Sequence, residues 1–74
     1  MVQITWGDVV KVRELAPASM RPGASGDVVG VTEVNTACLA TEFGVPLGGW
    51  VYLVEFGDGE AIEVPEGWLE RDKP

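Results

Sequence analysis

The stretch Trp50-Val51-Tyr52-Leu53-Val54-Glu55-Phe56-Gly57-Asp58-Gly59-Glu60-Ala61-Ile62-Glu63-Val64-Pro65 decides the fold of this chain. Apolar residues alternate along it before and after the central glycines, which is the period-2 pattern of β-strands. Asp58-Gly59 is a preferred pair for a tight hairpin turn. The residues that follow, Pro65-Glu66-Gly67-Trp68-Leu69, suit a single 3₁₀ turn because Pro65 fixes its first φ. We therefore predict a hairpin, a 3₁₀ turn near residues 65–69 and a last short strand.

Earlier segments extend the same pattern. Alternation over residues 2–6 and again over residues 9–13 predicts two strands, each with one buried face. Residues 27–34 are apolar on both faces, as in a central strand, and Gly30 within them indicates a bulge. Ten glycines and five prolines imply many turns, which favours an all-β fold. We predict one domain over residues 1–74, a small barrel of five antiparallel strands.

The connection over residues 35–49 is the least defined part of the sequence. Residues 36–43 fit one or two helical turns that Gly44 would cap, whereas Val45-Pro46-Leu47-Gly48-Gly49 cannot continue a helix. Connections of this length in small domains are usually functional or mobile. Whether this segment is ordered or helical stays open from the sequence.

A series of short motifs runs along nearly the whole chain. In order they are Gly7-Asp8-x-Val10-x-Val12, Pro22-Gly23-x-x-Gly26-x-Val28-Val29-Gly30-Val31, Tyr52-x-Val54-x-Phe56 and Val64-Pro65-x-x-Trp68-Leu69-Glu70. In this order the chain resembles the Src-homology-3-like barrels of bacterial and plastid accessory proteins. Similar members are the C-terminal barrel of the nitrile hydratase β subunit, the variable chain of ferredoxin–thioredoxin reductase and a small photosystem I subunit. The resemblance implies a barrel that supports a protein partner and does no chemistry itself.

Type II dihydrofolate reductase is a second family with a similar short barrel, and its tetramer encloses a central active pore. That family has a Val-Gln-Ile-Tyr run on the pore strand, whereas the matching stretch here is Ala61-Ile62-Glu63-Val64. In such a pore Glu63 would repel anionic folate and a phosphorylated cofactor. This enzyme alternative therefore ranks last, and it predicts tetramerisation and binding of a nucleotide cofactor.

Charge and residue types limit the partners and the chemistry. Five Lys and Arg against twelve Asp and Glu give a net charge of −7, which opposes binding to nucleic acid. With no histidine and with Cys38 alone, the chain offers no catalytic triad, metal-ligand set or redox pair. We expect no catalytic residue, no metal and no cofactor, and we expect Cys38 to act as a buried or half-buried apolar side chain. The absence of a disulfide pair, of a signal peptide and of an apolar run of ~20 residues predicts a soluble cytoplasmic protein with no membrane partner.

Aromatic and acidic side chains remain as candidates for a binding surface. Trp50 follows two glycines at a strand start and is expected to be exposed, whereas Trp68 is expected in the core. In the family resembled, a groove would bring Trp50 and Trp68 near Met20. Asp58, Glu60, Glu63 and Glu66 are interpreted as a solvated acidic rim. The predicted partner-binding set is Trp50, Phe43, Met20, Trp68, Glu60, Glu63 and Glu66.

Two non-enzymatic functions follow from this set. The first is an interaction or accessory module that docks a protein partner of basic character through its aromatic and acidic surface. The alternative is an immunity-type inhibitor, which would bind a basic toxin or nuclease through the acidic rim. Homo-oligomerisation is compatible with either function, since a thin core leaves apolar surface to bury.

Overall fold

The computed structural model describes residues 4–71, which form five strands, two 3₁₀ turns and one short α-helix. Along the chain these are β1 (Val9–Val12), η1 (Ala18–Met20), β2 (Ser25–Glu33), α1 (Ala37–Phe43), β3 (Trp50–Phe56), β4 (Ala61–Pro65), η2 (Glu66–Trp68) and β5 (Leu69–Arg71). The predicted small all-β fold of five antiparallel strands is confirmed. The position of η2 confirms the 3₁₀ turn predicted near residues 65–69.

The strands form one open antiparallel sheet in the order β4-β3-β2-β1-β5. Strands β2, β3 and β4 pair with their neighbours along the chain, whereas β5 returns to pair with β1. Every strand contributes to the same apolar cluster, so the sheet wraps around a single core. The buried members of that core are Ile4, Val10, Val12, Ala16, Val28, Tyr52, Val54, Phe56, Val64 and Leu69. Burial of each large apolar side chain contributes about 1.5–3 kcal/mol, so this cluster is the main source of stability.

The strand predicted over residues 2–6 is wrong in its described part. Residues 5–8 form a turn, in which Asp8 N donates to Thr5 O at 3.0 Å and Thr5 N donates to the Asp8 carboxylate at 2.9 Å. Gly7 has a φ of 91° in this turn, a value that suits glycine. These local bonds outweigh the short alternation, so Ile4 enters the core while Trp6 stays exposed. Residues 2 and 3 of the prediction lie outside the described residues.

The hairpin between β3 and β4 is confirmed, but its turn differs from the predicted one. Phe56 N donates to Glu60 O at 2.8 Å and Gly59 N donates to Phe56 O at 2.9 Å, which leaves a three-residue loop, Gly57-Asp58-Gly59. Gly59 has a φ of 89°, whereas Asp58 is not in the left-handed region. This is the hairpin loop that ends in a left-handed residue rather than a two-residue Asp-Gly turn. The Asp58 carboxylate favours it by accepting a bond from Glu60 N at 3.1 Å.

Strand β2, with nine residues, extends well beyond β1, the four-residue strand that pairs with one of its edges. Its register with β3 shifts between Val28 and Gly30, so Val29 is an extra residue and the bulge predicted at Gly30 is confirmed. A Cβ on Gly30 would lie 3.2 Å from the Cβ of Leu53, which explains why a glycine suits this crossing. Pairing with β1 covers residues 25–27 only. Beyond the bulge, β2 therefore has β3 on one side and no described strand on the other.

The connection from β2 to β3 is ordered by α1, which confirms the predicted helical turns and the Gly44 cap. Thr36 Oγ1 accepts a hydrogen bond from Leu39 N at 3.2 Å at the start of the helix, and Gly44 ends it with a φ of 67°. Cys38 on this helix is exposed, contrary to the burial expected for it. No helix within residues 4–71 combines the length and the apolar character needed to cross a membrane.

Candidate functional site

A groove of about 240 Å³ lies between the segment that follows α1 and the η2 turn. Its lining is mostly apolar side chains and glycine backbone: Phe43, Gly44, Val45, Pro46 and Gly49 on one wall, and Pro65, Glu66, Gly67 and Trp68 on the other. Glu66 is the one charged residue among them. We call this surface the α1–η2 groove.

Tight turns build the first wall. Phe43 is the last residue of α1, and the left-handed Gly44 reverses the chain directly after it. Gly49 N then donates to Pro46 O at 3.0 Å, which closes a second turn before β3 begins. A Cβ on Gly49 would collide with the side chain of Val45, so these residues pack closely. The wall is therefore held in shape before any partner arrives.

The second wall is continuous with the core. Pro65 is buried at the end of β4, directly opposite Val51 of β3. Trp68 is half-buried and packs against the core cluster, and its carbonyl accepts a hydrogen bond from Arg13 N at 2.8 Å. Trp68 therefore packs against the core without being fully buried in it, and it also lines the groove.

The structure brings together three of the predicted partner-binding residues. Phe43, Trp68 and Glu66 line the α1–η2 groove, whereas Trp50 and Met20 are half-buried against the core and do not line it. The expectation that Trp50 is exposed is wrong, because it lies two residues before Tyr52 on β3 and shares its core face. The remaining two members of the set, Glu60 and Glu63, lie outside the groove lining.

Part of the predicted acidic rim is neutralised from within the chain. The Arg21 guanidinium donates to both carboxylate oxygens of Asp58, at 3.1 and 2.6 Å, and lies 3.4 Å from Glu60 Oε1. It also lies 4.9 Å from the centre of the Phe56 ring. The Arg21 hydrogen bonds and the Glu60 amide lower the pKa of Asp58 to about 2. Asp58 and Glu60 therefore hold the hairpin to the η1 loop instead of forming a freely solvated rim.

Other carboxylates have no such cation. Asp27 of β2 and Glu55 of β3 are direct cross-strand neighbours, and neither makes an ion pair within residues 4–71. Like charges in this position destabilise a sheet. Both border a shallow depression of about 260 Å³ on the outer face. Glu63 is exposed on β4 and pairs with Leu53, which lies two residues before Glu55 on β3.

The arrangement suits recognition more than bond chemistry. The α1–η2 groove is smaller than the roughly 300–1,000 Å³ of typical small-molecule pockets, and its chemistry is apolar contact beside one carboxylate. Within residues 4–71, no three His, Cys, Asp or Glu side chains are grouped closely enough to hold a metal ion.

Sequence reasoning missed part of this groove and one ion pair outside it. The part of the first wall formed by Val45 and Pro46 had a weak signal, since a proline after a predicted helix marks a turn that can shape a groove. The Arg21–Asp58 pair had none, because 37 positions separate the two residues.

No protein-family model matches this chain, and no match is found among curated proteins or among solved structures.

Proposed function

We propose that the chain is a non-enzymatic interaction module that docks a protein partner through the α1–η2 groove. The observation that carries the proposal is the placement of Phe43 and Trp68 on opposite walls of one groove, with Glu66 beside Trp68. Aromatic side chains in such positions supply most of the energy at protein interfaces. Walls already shaped by turns and prolines keep the entropic cost of binding low.

The charges indicate the character of the partner. Lys11, Arg21 and Arg71 each lie within 4.0 Å of a carboxylate of the same chain, so much of their charge is compensated internally. Glu63 and Glu66 make no ion pair within residues 4–71. A partner that places an apolar side chain between the aromatic walls and a Lys or Arg near Glu66 satisfies both features. The accessory role that the Src-homology-3-like resemblance implies remains a prediction.

A capture experiment with matched variants tests this function. Tagged wild-type protein, Phe43→Ala and Leu15→Ala are used as baits in an extract of the native host, with quantitative mass spectrometry as the readout. Leu15 is 90% exposed and lies outside the groove, so its variant removes an apolar side chain without touching the proposed site. We expect a partner that wild type and Leu15→Ala retain and that Phe43→Ala loses. With the purified partner, Phe43→Ala should weaken binding at least about tenfold.

Glu66→Gln separates the charge from the apolar contact. It should weaken the same complex mainly at low salt, because screening reduces the contribution of an exposed carboxylate. Circular dichroism of each bait establishes that the variant is folded. If Phe43→Ala binds the partner as tightly as wild type does, the groove is not the docking site.

The inhibitor of a basic toxin or nuclease is a second candidate, and the uncompensated carboxylates favour it. Asp27, Glu55 and Glu63 present negative charge on the outer face of the sheet with no cation to offset it. Under this reading the double variant Glu55→Gln/Glu63→Gln loses the partner, whereas Phe43→Ala keeps it. If no bait captures a specific partner, both proposals fail.

A further inference from the structure

A second surface lies where β2 continues past its pairing with β1. Gly7 N donates to Val28 O and Val28 N donates to Asp8 O, each at 2.9 Å, and within residues 4–71 these are the last backbone bonds on that side. The backbone of Val34 forms its hydrogen bonds on the β3 side: Val34 N donates to Gly49 O, and Gly48 N donates to Val34 O. Because backbone groups alternate along a strand, those of Val31 and Glu33 point away from β3. Within residues 4–71, no strand pairs with them there.

Trp6 is fixed next to this open edge. Its indole Nε1 donates to Val29 O at 3.0 Å, and the turn over residues 5–8 holds its backbone. Even so, the side chain is 68% exposed, and Val31 is 41% exposed. An exposed tryptophan that is already held in one position loses little entropy when a partner covers it. We call Trp6, Val29, Val31 and Glu33 the β2 edge.

We propose that the β2 edge binds an extended segment of a protein partner, which adds to the sheet as a sixth strand. Unpaired strand backbone is a template for another strand, and the strand supplies the missing hydrogen bonds. Val31 and Glu33 share one face of β2, so their side chains contact residues two positions apart on the added strand. The segment therefore places an apolar side chain against Trp6 and Val31, and a Lys or Arg beside Glu33.

The charge of the chain argues against a second copy as the occupant. Pairing two β2 edges would bring together two chains of net charge −7 and set two Glu33 carboxylates along one short edge. Glu33 makes no ion pair within residues 4–71, so its charge is available to a basic side chain. A basic extended segment satisfies both the backbone and the charge. This surface shares no residue with the α1–η2 groove, so the two proposals stand or fall separately.

A short synthetic peptide tests the proposal. The peptide is acetyl-Thr-Lys-Thr-Val-Thr-Val-Thr-amide. In an antiparallel arrangement its Lys lies beside Glu33, and its two Val residues lie beside Val31 and Trp6. It is added to ¹⁵N-labelled protein, and binding is followed by NMR. We expect shifts of the Trp6 indole resonance and of the amides of residues 29–34, and little change at Phe43. Replacing Lys by Glu in the peptide should weaken binding at least about tenfold, since a like charge then faces Glu33.

Matched variants locate the contact. Trp6→Ala should weaken peptide binding at least about tenfold, whereas Leu15→Ala, which removes another exposed apolar side chain, should leave it unchanged. Trp6→Phe keeps a smaller aromatic ring without the Nε1 donor, so it should bind the peptide more weakly than wild type and more strongly than Trp6→Ala. Phe43→Ala should bind the peptide as wild type does.

Three results would overturn the proposal. One is the absence of shifts at millimolar peptide, and another is equal binding of the Lys and Glu peptides. The third comes from hydrogen exchange in the free protein, where the Val31 and Glu33 amides should exchange rapidly. Protection of both amides in a dilute monomer would mean that the edge is already covered. Protection that appears only with dimer formation would identify a second copy as the occupant and refute a foreign strand.

Discussion

Tyr52 lies at the centre of the core and has no solvent exposure, yet its hydroxyl has no hydrogen-bond partner within residues 4–71. A buried polar group without a partner costs about 1–3 kcal/mol. Burial raises the pKa of this phenol, and the negative charges of Glu66 and Asp8 raise it further. The hydroxyl is therefore a weak point in an otherwise apolar cluster.

We predict that Tyr52→Phe increases the free energy of unfolding by about 1 kcal/mol, because it removes the unsatisfied hydroxyl and keeps the ring. Urea denaturation at pH 7 measures the difference. The variant should also resist alkali better. The raised pKa means that the unfolded chain ionises first, so wild type loses stability as the pH rises from the ordinary tyrosine value of 10.0.

A matched truncation in the same cluster serves as the control for this prediction. Val64 faces Tyr52 across the β3–β4 ladder and is fully buried, so Val64→Ala should lose stability through lost apolar contact. A loss of stability in Tyr52→Phe would contradict the prediction and show that the hydroxyl makes a hydrogen bond in solution.

The core side chains were also the part that sequence reasoning handled best at this scale. Alternation in residues 50–56 and 61–64 correctly places Tyr52, Val54, Phe56 and Val64 on faces turned to the core, although Val51 on the opposite face of β3 is buried as well. Trp6 was misplaced for a physical reason. Its alternation is real, but the bonds between Thr5 and Asp8 turn the chain before a strand can form.

At the scale of elements, Arg21 joins the η1 loop to the β3–β4 hairpin. Its backbone has a left-handed φ of 58°, a conformation that non-glycine residues seldom adopt. The bonds to Asp58 and Glu60 and the contact with the Phe56 ring offset that strain. Since β4 is an edge strand that pairs with β3 alone in the sheet order, this contact gives the tip of the hairpin a separate link to the η1 loop.

We predict that Asp58→Asn lowers the melting temperature at pH 7 and that the difference from wild type disappears in acid. Native Asp58 has a pKa of about 2, below its ordinary value of 3.8. A lowered carboxylate pKa stabilises the fold above the ordinary value, and that contribution is lost as the pH falls through the native value. The gap between the two melting curves should therefore close between about pH 4 and pH 2.

A double-mutant cycle identifies the partner of this carboxylate. In an Arg21→Gln background, Asp58→Asn should have little further effect and little pH dependence, because the guanidinium that lowers the pKa is gone. Additive effects of the two substitutions would show that Asp58 acts mainly through the Glu60 amide.

Elements with local signals were predicted, and contacts between distant elements were not. The hairpin, α1 with its Gly44 cap, and η2 each depend on residues within a few positions of one another. The α1–η2 groove needs residues 43–49 and 65–68 to meet, and the Arg21–Asp58 pair needs two loops to meet. These segments meet only once the open sheet has wrapped around the core, so the residue types could be named in advance and their grouping could not.

For the whole molecule, the main destabilising feature is the excess of negative charge. The net charge is −7, and several carboxylates within residues 4–71, including the cross-strand pair Asp27 and Glu55, have no cation beside them. Self-repulsion of this kind destabilises a compact state and is screened by salt. This repulsion lowers the stability of the folded chain, and the basic partner proposed above would relieve it.

We predict that NaCl raises the melting temperature of the free chain by a few °C between about 0.01 and 0.2 M, a range over which the Debye length falls from roughly 30 to below 10 Å. A change of that size corresponds to about 1 kcal/mol or less for a domain of this length. Near the isoelectric point of about 4.2 the effect should vanish, since the net charge is then close to zero. A melting temperature that falls with salt at pH 7 would mean that attractive pairs such as Arg21–Asp58 outweigh the repulsion. The same salt range should weaken the complex with a basic partner, so opposite salt dependences of folding and binding would link the excess charge to recognition.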